Sequence, residues 1–146
     1  MKIMAVDFGD ARTGLAVCDR TEFLASPVGV VEERNFELAA MKVAHMAKEY
    51  EVGEIVVGLP LNMNGSRGPR AEKCERFATL VNELTDIPVN LWDERSTTVS
   101  AHGYLNQTNV RGKKRKEIVD AVAAVIILEG YLAFRRNKAS KPQPDQ

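Results

Sequence analysis

The segment that most constrains the fold is a near-continuous apolar run at residues 54–59, Glu-Ile-Val-Val-Gly-Leu. Such a run is typical of a parallel strand that is buried on both faces of a sheet. A segment with near-helical apolar spacing, Phe36–Tyr50, precedes it, and a second predicted helix, Ala71–Leu84, follows it. A buried strand between two helices indicates an α/β domain rather than an all-β or all-α one.

The N-terminal third has a different pattern. Three short apolar segments, Lys2–Phe8, Thr13–Cys18 and Pro27–Val31, follow one another without a helix between them. The first two are joined by Gly9–Arg12, which suits a hairpin. We therefore expect an antiparallel meander at the start of the sheet.

The C-terminal half returns to alternating elements. We predict a strand at Pro88–Trp92, a helix at Thr97–Leu105, a basic loop at Asn109–Lys116 and a long helix at Glu117–Arg136. The whole pattern predicts an α/β fold of the ribonuclease-H-like type. Its mixed five-stranded sheet begins as an antiparallel meander, continues with parallel strands and carries helices on both faces.

The length of 146 residues suits one domain. We place a single domain at residues 1–137 and predict that the polar tail at 138–146 is disordered. No run is long enough and apolar enough to cross a membrane, and no signal peptide is visible, so we expect a cytoplasmic protein without a membrane partner.

The distribution of charge and the cysteine content limit the range of possible functions. Residues 1–100 carry 11 basic and 16 acidic side chains, whereas residues 101–146 carry 9 and 4, so a neutral total hides a basic C-terminal third. The two cysteines, Cys18 and Cys74, form no C-x-x-C pair, and no histidine lies at metal-ligand spacing from either. A zinc site is therefore not expected.

Acidic residues occur where they do not help folding. Asp7 ends an apolar strand on the face of Ile3 and Ala5, and the pair Asp93 and Glu94 follows another strand. Adjacent strand residues point to opposite faces, so only one of that pair can join Asp7. Each acid also has a plain structural explanation: a strand-end cap for Asp7, and pairing with Arg95 for Asp93 or Glu94.

Asp120 lies near the start of the last predicted helix, on the face of Ala124 and Ile127. Compensation of the helix dipole is the structural alternative, and Glu117 suits that role better. Carboxylates from two strand ends and one helix are the oxygen ligands that Mg²⁺ or Mn²⁺ prefers. One or two such ions can cleave a phosphodiester bond without a histidine, cysteine or serine nucleophile.

Four segments resemble the YqgF family, the pre-16S rRNA nuclease or Holliday junction resolvase-like family related to RuvC. They are Asp-Phe-Gly-Asp-Ala-Arg-Thr-Gly-Leu-Ala (7–16), Val-Gly-Leu-Pro-Leu-Asn-Met-Asn-Gly (57–65), Asp-Glu-Arg-Ser-Thr-Thr (93–98) and Asp-Ala-Val-Ala-Ala-Val-Ile-Ile-Leu (120–128). Their order and spacing also fit. The resemblance covers about residues 2–134.

The resemblance implies a ribonuclease-H-like nuclease whose catalytic, metal-binding acids fall on Asp7, Glu94 and Asp120. It is the resemblance that selects Glu94 over Asp93. RuvC-type sites use a fourth acid, for which Glu117 is the candidate. Ser96 departs from the larger apolar residue that relatives carry there.

Basic side chains supply candidates for binding a phosphate backbone. Five basic residues within six positions directly precede the helix that carries Asp120, and further arginines lie in or beside the motif segments. A solvated loop is the alternative for the basic run. The candidates for substrate binding are Arg12, Arg95, Arg111, Lys113, Lys114, Arg115 and Lys116, and Arg67 and Arg70 also lie beside the motifs.

Three functions compete. The first is a metal-dependent nuclease acting on nucleic acid, with precursor 16S rRNA or a ribosomal particle favoured over a Holliday junction by the resemblance alone. The second is a non-catalytic RNA- or DNA-binding module on the same scaffold. The third is a phosphotransferase of the actin and Hsp70 group, which needs two lobes and more residues than this chain has. The sequence does not indicate an oligomeric state.

Overall fold

The computed structural model describes residues 1–96 and 112–140, with the backbone alone for Ser96, 112–120 and 139–140. Five strands form one sheet in the order β3-β2-β1-β4-β5. The strands are β1 (Ile3–Asp7), β2 (Arg12–Cys18), β3 (Ala25–Glu32), β4 (Glu54–Leu59) and β5 (Val89–Asp93), and the helices are α1 (Phe36–Glu49), α2 (Pro69–Thr85) and α3 (Gly112–Ser140). The predicted fold class, an antiparallel meander followed by parallel strands, is confirmed.

The pairing of β1 with its two neighbours makes the sheet mixed. β1 runs antiparallel to β2, with Asp7 opposite Gly14, and parallel to β4, with Val6 opposite Val57. β4 in turn runs parallel to β5. The C-terminal ends of β1, β4 and β5 therefore meet at one edge of the sheet.

Both faces of the central strands are covered. Val6 and Val57 pack with Phe77 of α2 in one apolar cluster, which also includes α1. Ala5 and Val56 pack in a second cluster with α3 on the opposite face. Burial on both faces explains why residues 54–59 read as an apolar run rather than an alternating one.

Local signals fix the ends of the first two helices. The side chain of Asn35 caps α1 by accepting a hydrogen bond from the Leu38 backbone N–H at 2.9 Å. Pro69 lies in the first turn of α2, where its missing N–H costs nothing. Asp86, with φ of 62°, ends α2 in the left-handed conformation.

The start of α3 corrects the prediction of a basic loop at 109–116. The helix begins at Gly112, so residues 112–116 are helical. Lysine, arginine and glutamate are good helix formers, and no proline or glycine separates this run from the apolar helix that follows. Asp120 is therefore the ninth residue of α3, in its third turn, where compensation of the helix dipole has little effect.

The end of α3 differs as well. The helix continues to Ser140 instead of ending at Arg136, so the first three residues of the predicted disordered tail are helical. No proline or glycine occurs between Arg136 and Pro142, and helical geometry is disfavoured for the residue that precedes a proline. The predicted helix at 97–105, the segment 109–111 and the tail at 141–146 lie outside the described residues. Within the described ranges, no helix is both long and apolar enough for a membrane span.

Candidate active site

Asp7 lies half-buried at the C-terminal edge of the sheet as the last residue of β1. Two-residue alternation puts it on the face of Ile3 and Ala5, which belong to the cluster that packs with α3. The next residue, Phe8, belongs to the cluster on the opposite face. The Asp7 carboxylate therefore lies on the side of the sheet that α3 covers.

Glu94 follows β5 and begins a short 3-10 turn, Glu94–Ser96. Its side chain lies over Gly58 of β4, because a Cβ added at Gly58 would be 3.1 Å from Glu94 Cδ and 2.6 Å from Ile127 Cδ1 of α3. Only a glycine leaves this space open. Glu94 is thus held against β4 and beside α3, on the face to which Asp7 belongs.

Asp93 has a different environment. Its Oδ1 accepts a hydrogen bond from the Arg95 backbone N–H at 2.9 Å, and its Oδ2 accepts one from Arg95 Nη2 at 2.8 Å. These hydrogen bonds hold the pKa of Asp93 below its ordinary value. Asp93 thus caps the 3-10 turn and pairs with Arg95, the structural role that the sequence left open for one of the two acids.

Burial and neighbouring charges shift the pKa values of Glu94 and of the Cys74 thiol. Burial raises the pKa of Glu94, the Arg70 charge opposes that rise and the Asp93 charge adds to it. Burial also raises the pKa of the Cys74 thiol to about 11, and the charges of Glu94 and Asp7 both contribute to this rise while Arg70 opposes it. Both carboxylates therefore act on one buried thiol, which is an inert one.

Asp120 is described by its backbone alone. Its position in α3 is one turn before Ala124 and two turns before Ile127, both of which pack against the sheet. Among the side chains that the structure describes, which do not include Asp120, no three His, Cys, Asp or Glu groups could hold a metal ion. The structure thus brings Asp7 and Glu94 to one face, and the position of Asp120 lies on the helix that covers it.

The donor chemistry of this edge fits a hard divalent cation. Asp7 and Glu94 offer carboxylate oxygens, which Mg²⁺ and Mn²⁺ prefer to sulfur or imidazole ligands. Gly58 keeps the space beside Glu94 open. This glycine lies in the motif segment 57–65, and the structure gives it the role of accommodating Glu94 and Ile127.

The predicted substrate-binding residues are dispersed. Arg12 lies 3.9 Å from Glu32, and its Nη1 is buried with no hydrogen-bond partner among the described residues. Arg95 is bound to Asp93 and donates to the Met63 carbonyl at 3.2 Å. Arg111 lies outside the described residues, and the side chains of Lys113, Lys114, Arg115, Lys116 and Glu117 are likewise not described.

Sequence reasoning named Arg70 among the arginines beside the motifs but missed Lys73, which lies with it at the same edge of the sheet. Lys73 of α2 and Arg70, three residues before it, both bind Asp10. The three-residue spacing at the start of a predicted helix was the available signal, because residues three apart share a helix face. Arg67 instead pairs with Glu75 of α2.

Comparisons with known proteins agree with the resemblance. A family model described as "RuvX: Holliday junction resolvase" matches residues 1–134. A protein of Ruminiclostridium cellulolyticum named "Putative pre-16S rRNA nuclease" is 39% identical over 133 residues, which are 90% of this chain and 94% of that protein. A protein of Desulfitobacterium hafniense with the same name is 44% identical over 138 residues, 94% of this chain and 96% of that protein.

Solved structures show the same fold at low identity. The structure titled "T. thermophilus RuvC in complex with Holliday junction substrate" superposes with a TM-score of 0.62 at 14% identity, covering 98% of this chain and all of that one. The fowlpox virus Holliday junction resolvase superposes with a TM-score of 0.55 at 13% identity, covering 92% of this chain and 99% of that one. These likenesses confirm the predicted ribonuclease-H-like fold.

Proposed function

The chain belongs to the RuvX family, described as Holliday junction resolvases, and from this membership we propose that it is a metal-dependent nuclease that cleaves precursor 16S rRNA. Two relatives that each match at least 90% of this chain carry the name "Putative pre-16S rRNA nuclease". A cytoplasmic location is part of the proposal. The family membership supports phosphodiester hydrolysis, and the geometry supports the assignment of the site.

One observation carries the assignment of the site: Glu94 lies over Gly58 and beside Ile127, on the sheet face to which Asp7 belongs. A carboxylate on a half-buried face is costly unless a cation or a hydrogen-bond donor compensates it. Asp93, one residue earlier, avoids that cost by pairing with Arg95. The arrangement of Glu94 therefore favours a functional role over a structural one.

We assign Asp7, Glu94 and Asp120 as the residues that hold Mg²⁺ or Mn²⁺, as one or two ions, with Glu117 as the candidate fourth acid. When bound, such ions activate water and stabilise the leaving oxygen of a phosphodiester. The chain itself contributes fixed positions. The end of β1 sets Asp7, the packing against Gly58 and Ile127 sets Glu94, and the third turn of α3 carries Asp120.

In this proposal, the basic run at the start of α3 provides the residues that bind the phosphate backbone of the substrate, whether RNA or a DNA junction. Lys113, Lys114, Arg115 and Lys116 occupy the first two turns of α3, the helix that also carries Asp120. Neutralising phosphates and releasing their counterions supplies much of the affinity for a nucleic acid. Resolution of a Holliday junction is the second candidate, favoured by the description of the family.

The test is a cleavage assay of the wild type and two variants. The substrates are precursor 16S rRNA, single-stranded RNA, duplex and a four-way junction, each with Mg²⁺, Mn²⁺ or EDTA. We expect metal-dependent cleavage, with precursor rRNA as the preferred substrate. Asp7→Asn should abolish cleavage, and its unfolding free energy without metal should stay level or rise, because repulsion between acids is relieved.

The control is Asp93→Asn. It also removes one carboxylate charge, but from a residue that pairs with Arg95, so it should leave cleavage in place. Full cleavage by Asp7→Asn, or cleavage in EDTA, would contradict the metal mechanism. Binding of the panel without cleavage would favour the non-catalytic module, and preferred cleavage of the junction would favour resolution.

A further inference from the structure

Asp10 binds two positively charged side chains through a single oxygen atom. Its Oδ1 accepts a hydrogen bond from Arg70 Nη1 at 3.0 Å and another from Lys73 Nζ at 2.8 Å. Arg70 and Lys73 are three residues apart in the first turns of α2 and therefore share a helix face. The Asp10 side chain is 68% exposed, so solvent and ligands reach this cluster.

The two cations are fixed beside the candidate active site. Arg70 Nη2 donates to the carbonyl of Phe8, the residue after Asp7. Arg70 Cζ lies 5.3 Å and Lys73 Nζ 5.7 Å from the centroid of the Phe8 ring, within the range of cation–π contacts. The cations therefore lie at the same edge of the sheet as Asp7, held by the residue next to it.

Stability alone does not account for this arrangement. Exposed ion pairs contribute little to folding, since solvent screens them and two long side chains must be immobilised. An arginine and a lysine converging on one anionic oxygen is, in contrast, the arrangement with which proteins bind phosphate. The carboxylate of Asp10 occupies the place that a phosphate oxygen would take between the two cations.

We propose that Arg70 and Lys73 bind one internal phosphate of the substrate's nucleic acid backbone, and that Asp10 holds both cations in position until the phosphate displaces it. The inference rests on the proposed nuclease function and adds a phosphate subsite to it. Arg70 and Lys73 position the strand relative to Asp7 and Glu94. The ligand of the subsite is a backbone phosphodiester, and the experiment distinguishes it from a terminal phosphate at a strand end.

The test measures binding apart from cleavage. Fluorescence anisotropy in EDTA gives the Kd of a labelled single-stranded RNA at several KCl concentrations for the wild type, Arg70→Gln and Lys73→Gln. Each variant should weaken binding and lower the slope of log Kd against log salt by about 0.7, the value for one lost contact to a single strand. Arg76→Gln is the matched control, because it removes the same charge from the same helix beside Glu72 and Thr79, and its slope should equal that of the wild type.

Asp10→Asn tests the part played by the internal anion. It removes the competing charge while keeping the shape of the side chain, so it should lower Kd severalfold. Weaker binding by Asp10→Asn would overturn the displacement of Asp10. Slopes of Arg70→Gln and Lys73→Gln equal to that of Arg76→Gln would overturn the subsite itself.

Two further comparisons separate an internal phosphate from a terminal one and a lost contact from a lost fold. The wild type should bind 5′-hydroxyl and 5′-phosphate RNA equally, with inorganic phosphate a poor competitor. A preference for the 5′-phosphate that Arg70→Gln abolishes would overturn the internal diester in favour of a strand end. Lys73→Gln keeps the hydrogen bond from Arg70 to the Phe8 carbonyl. It therefore tests the subsite even if Arg70→Gln lowers the melting temperature. Absence of cleavage by the wild type would contradict the proposed nuclease but leave these slopes interpretable.

Discussion

At the scale of single residues, Gly58 couples the sheet to both Glu94 and α3. A side chain at this position would meet Ile127 Cδ1 at 2.6 Å and Glu94 Cδ at 3.1 Å, although the backbone of Gly58 has no unusual φ. The requirement is therefore for space and not for backbone conformation. The same residue sets the packing of the helix and the position of a proposed metal ligand.

Gly58→Ala should accordingly affect stability and activity separately. Overpacking should lower the unfolding free energy by about 1–3 kcal/mol, and displacement of Glu94 by about an ångström should lower the cleavage rate about 100-fold. Urea denaturation and the cleavage assay measure the two effects. Adding Ile127→Val removes the closer contact, so the double variant should regain part of the stability but not the activity. Wild-type stability and activity in Gly58→Ala would show that the space is not required.

Glu94 and Asp93 provide a second comparison at this scale. Glu94→Gln should remove metal-dependent cleavage with little change in thermal melting, since it keeps the packing against Gly58. Asp93→Asn weakens the hydrogen bonds that cap the 3-10 turn, so it should cost about 0.5–1.5 kcal/mol and retain activity once folded. An inactive but stable Asp93→Asn together with an active Glu94→Gln would transfer the proposed ligand role to Asp93.

At the scale of elements, α3 is anchored to the sheet by a buried polar network. Glu54, at the start of β4, is 6% exposed and accepts hydrogen bonds from the Tyr131 hydroxyl, from Asn90 Nδ2 at 2.8 Å and from Arg135 Nη1 at 3.3 Å. Arg135 also binds Glu22 at 2.8 Å. Two residues of α3 thus fix its C-terminal half against the sheet, which in turn fixes the position of its earlier turns.

Tyr131→Phe should therefore weaken the docking of α3. It leaves the buried Glu54 carboxylate without one donor, which should cost about 1–2 kcal/mol in unfolding free energy measured by urea denaturation. Tyr50→Phe is the matched control, because the described hydrogen bonds of Tyr50 are made by its backbone carbonyl and N–H and not by its hydroxyl. Equal effects of the two substitutions would mean that the Glu54 network adds nothing to the docking of α3.

At the scale of the whole molecule, the basic charge lies on the helix that crosses the proposed site. Residues 112–116 are helical, so the helix geometry fixes their positions around its axis. With about 100° between successive residues, positions 113 and 116 lie within about 40° of position 120 around the axis. Positions 114 and 115 lie on the far side.

Two double variants with the same loss of charge test this arrangement. Lys113→Gln with Lys116→Gln should lower the salt slope of nucleic acid binding by about 0.7–0.9 per lost phosphate contact. Lys114→Gln with Arg115→Gln should change it much less. The turnover rate at saturating substrate should change little in both, because the proposed metal ligands remain. Equal slopes for the two variants would contradict a fixed helical face for substrate binding.

The amino-acid sequence by itself determined the elements whose signals are local. The apolar run at 54–59 predicted β4 to the residue, and the absence of helix patterning before Phe36 predicted the meander. The acids Asp7, Asp93, Glu94 and Asp120 were also visible, because charges at strand ends and on an apolar helix face conflict with folding. The family resemblance selected Glu94, and this assignment remains a proposal.

Tertiary structure alone decided the position of Glu94, the contacts of Asp10 and the start of α3. These features depend on residues far apart in the chain. Glu94 lies on the α3 side because Gly58 and Ile127 leave room for it there. Arg70 and Lys73 reach Asp10 across 60 and 63 residues, a distance that no local pattern reports. The start of α3 at Gly112 was missed for a related reason. A run of like charges is typical of a loop. This run is continuous with a long helix that packs on the sheet, and extending an existing helix is more favourable than starting one.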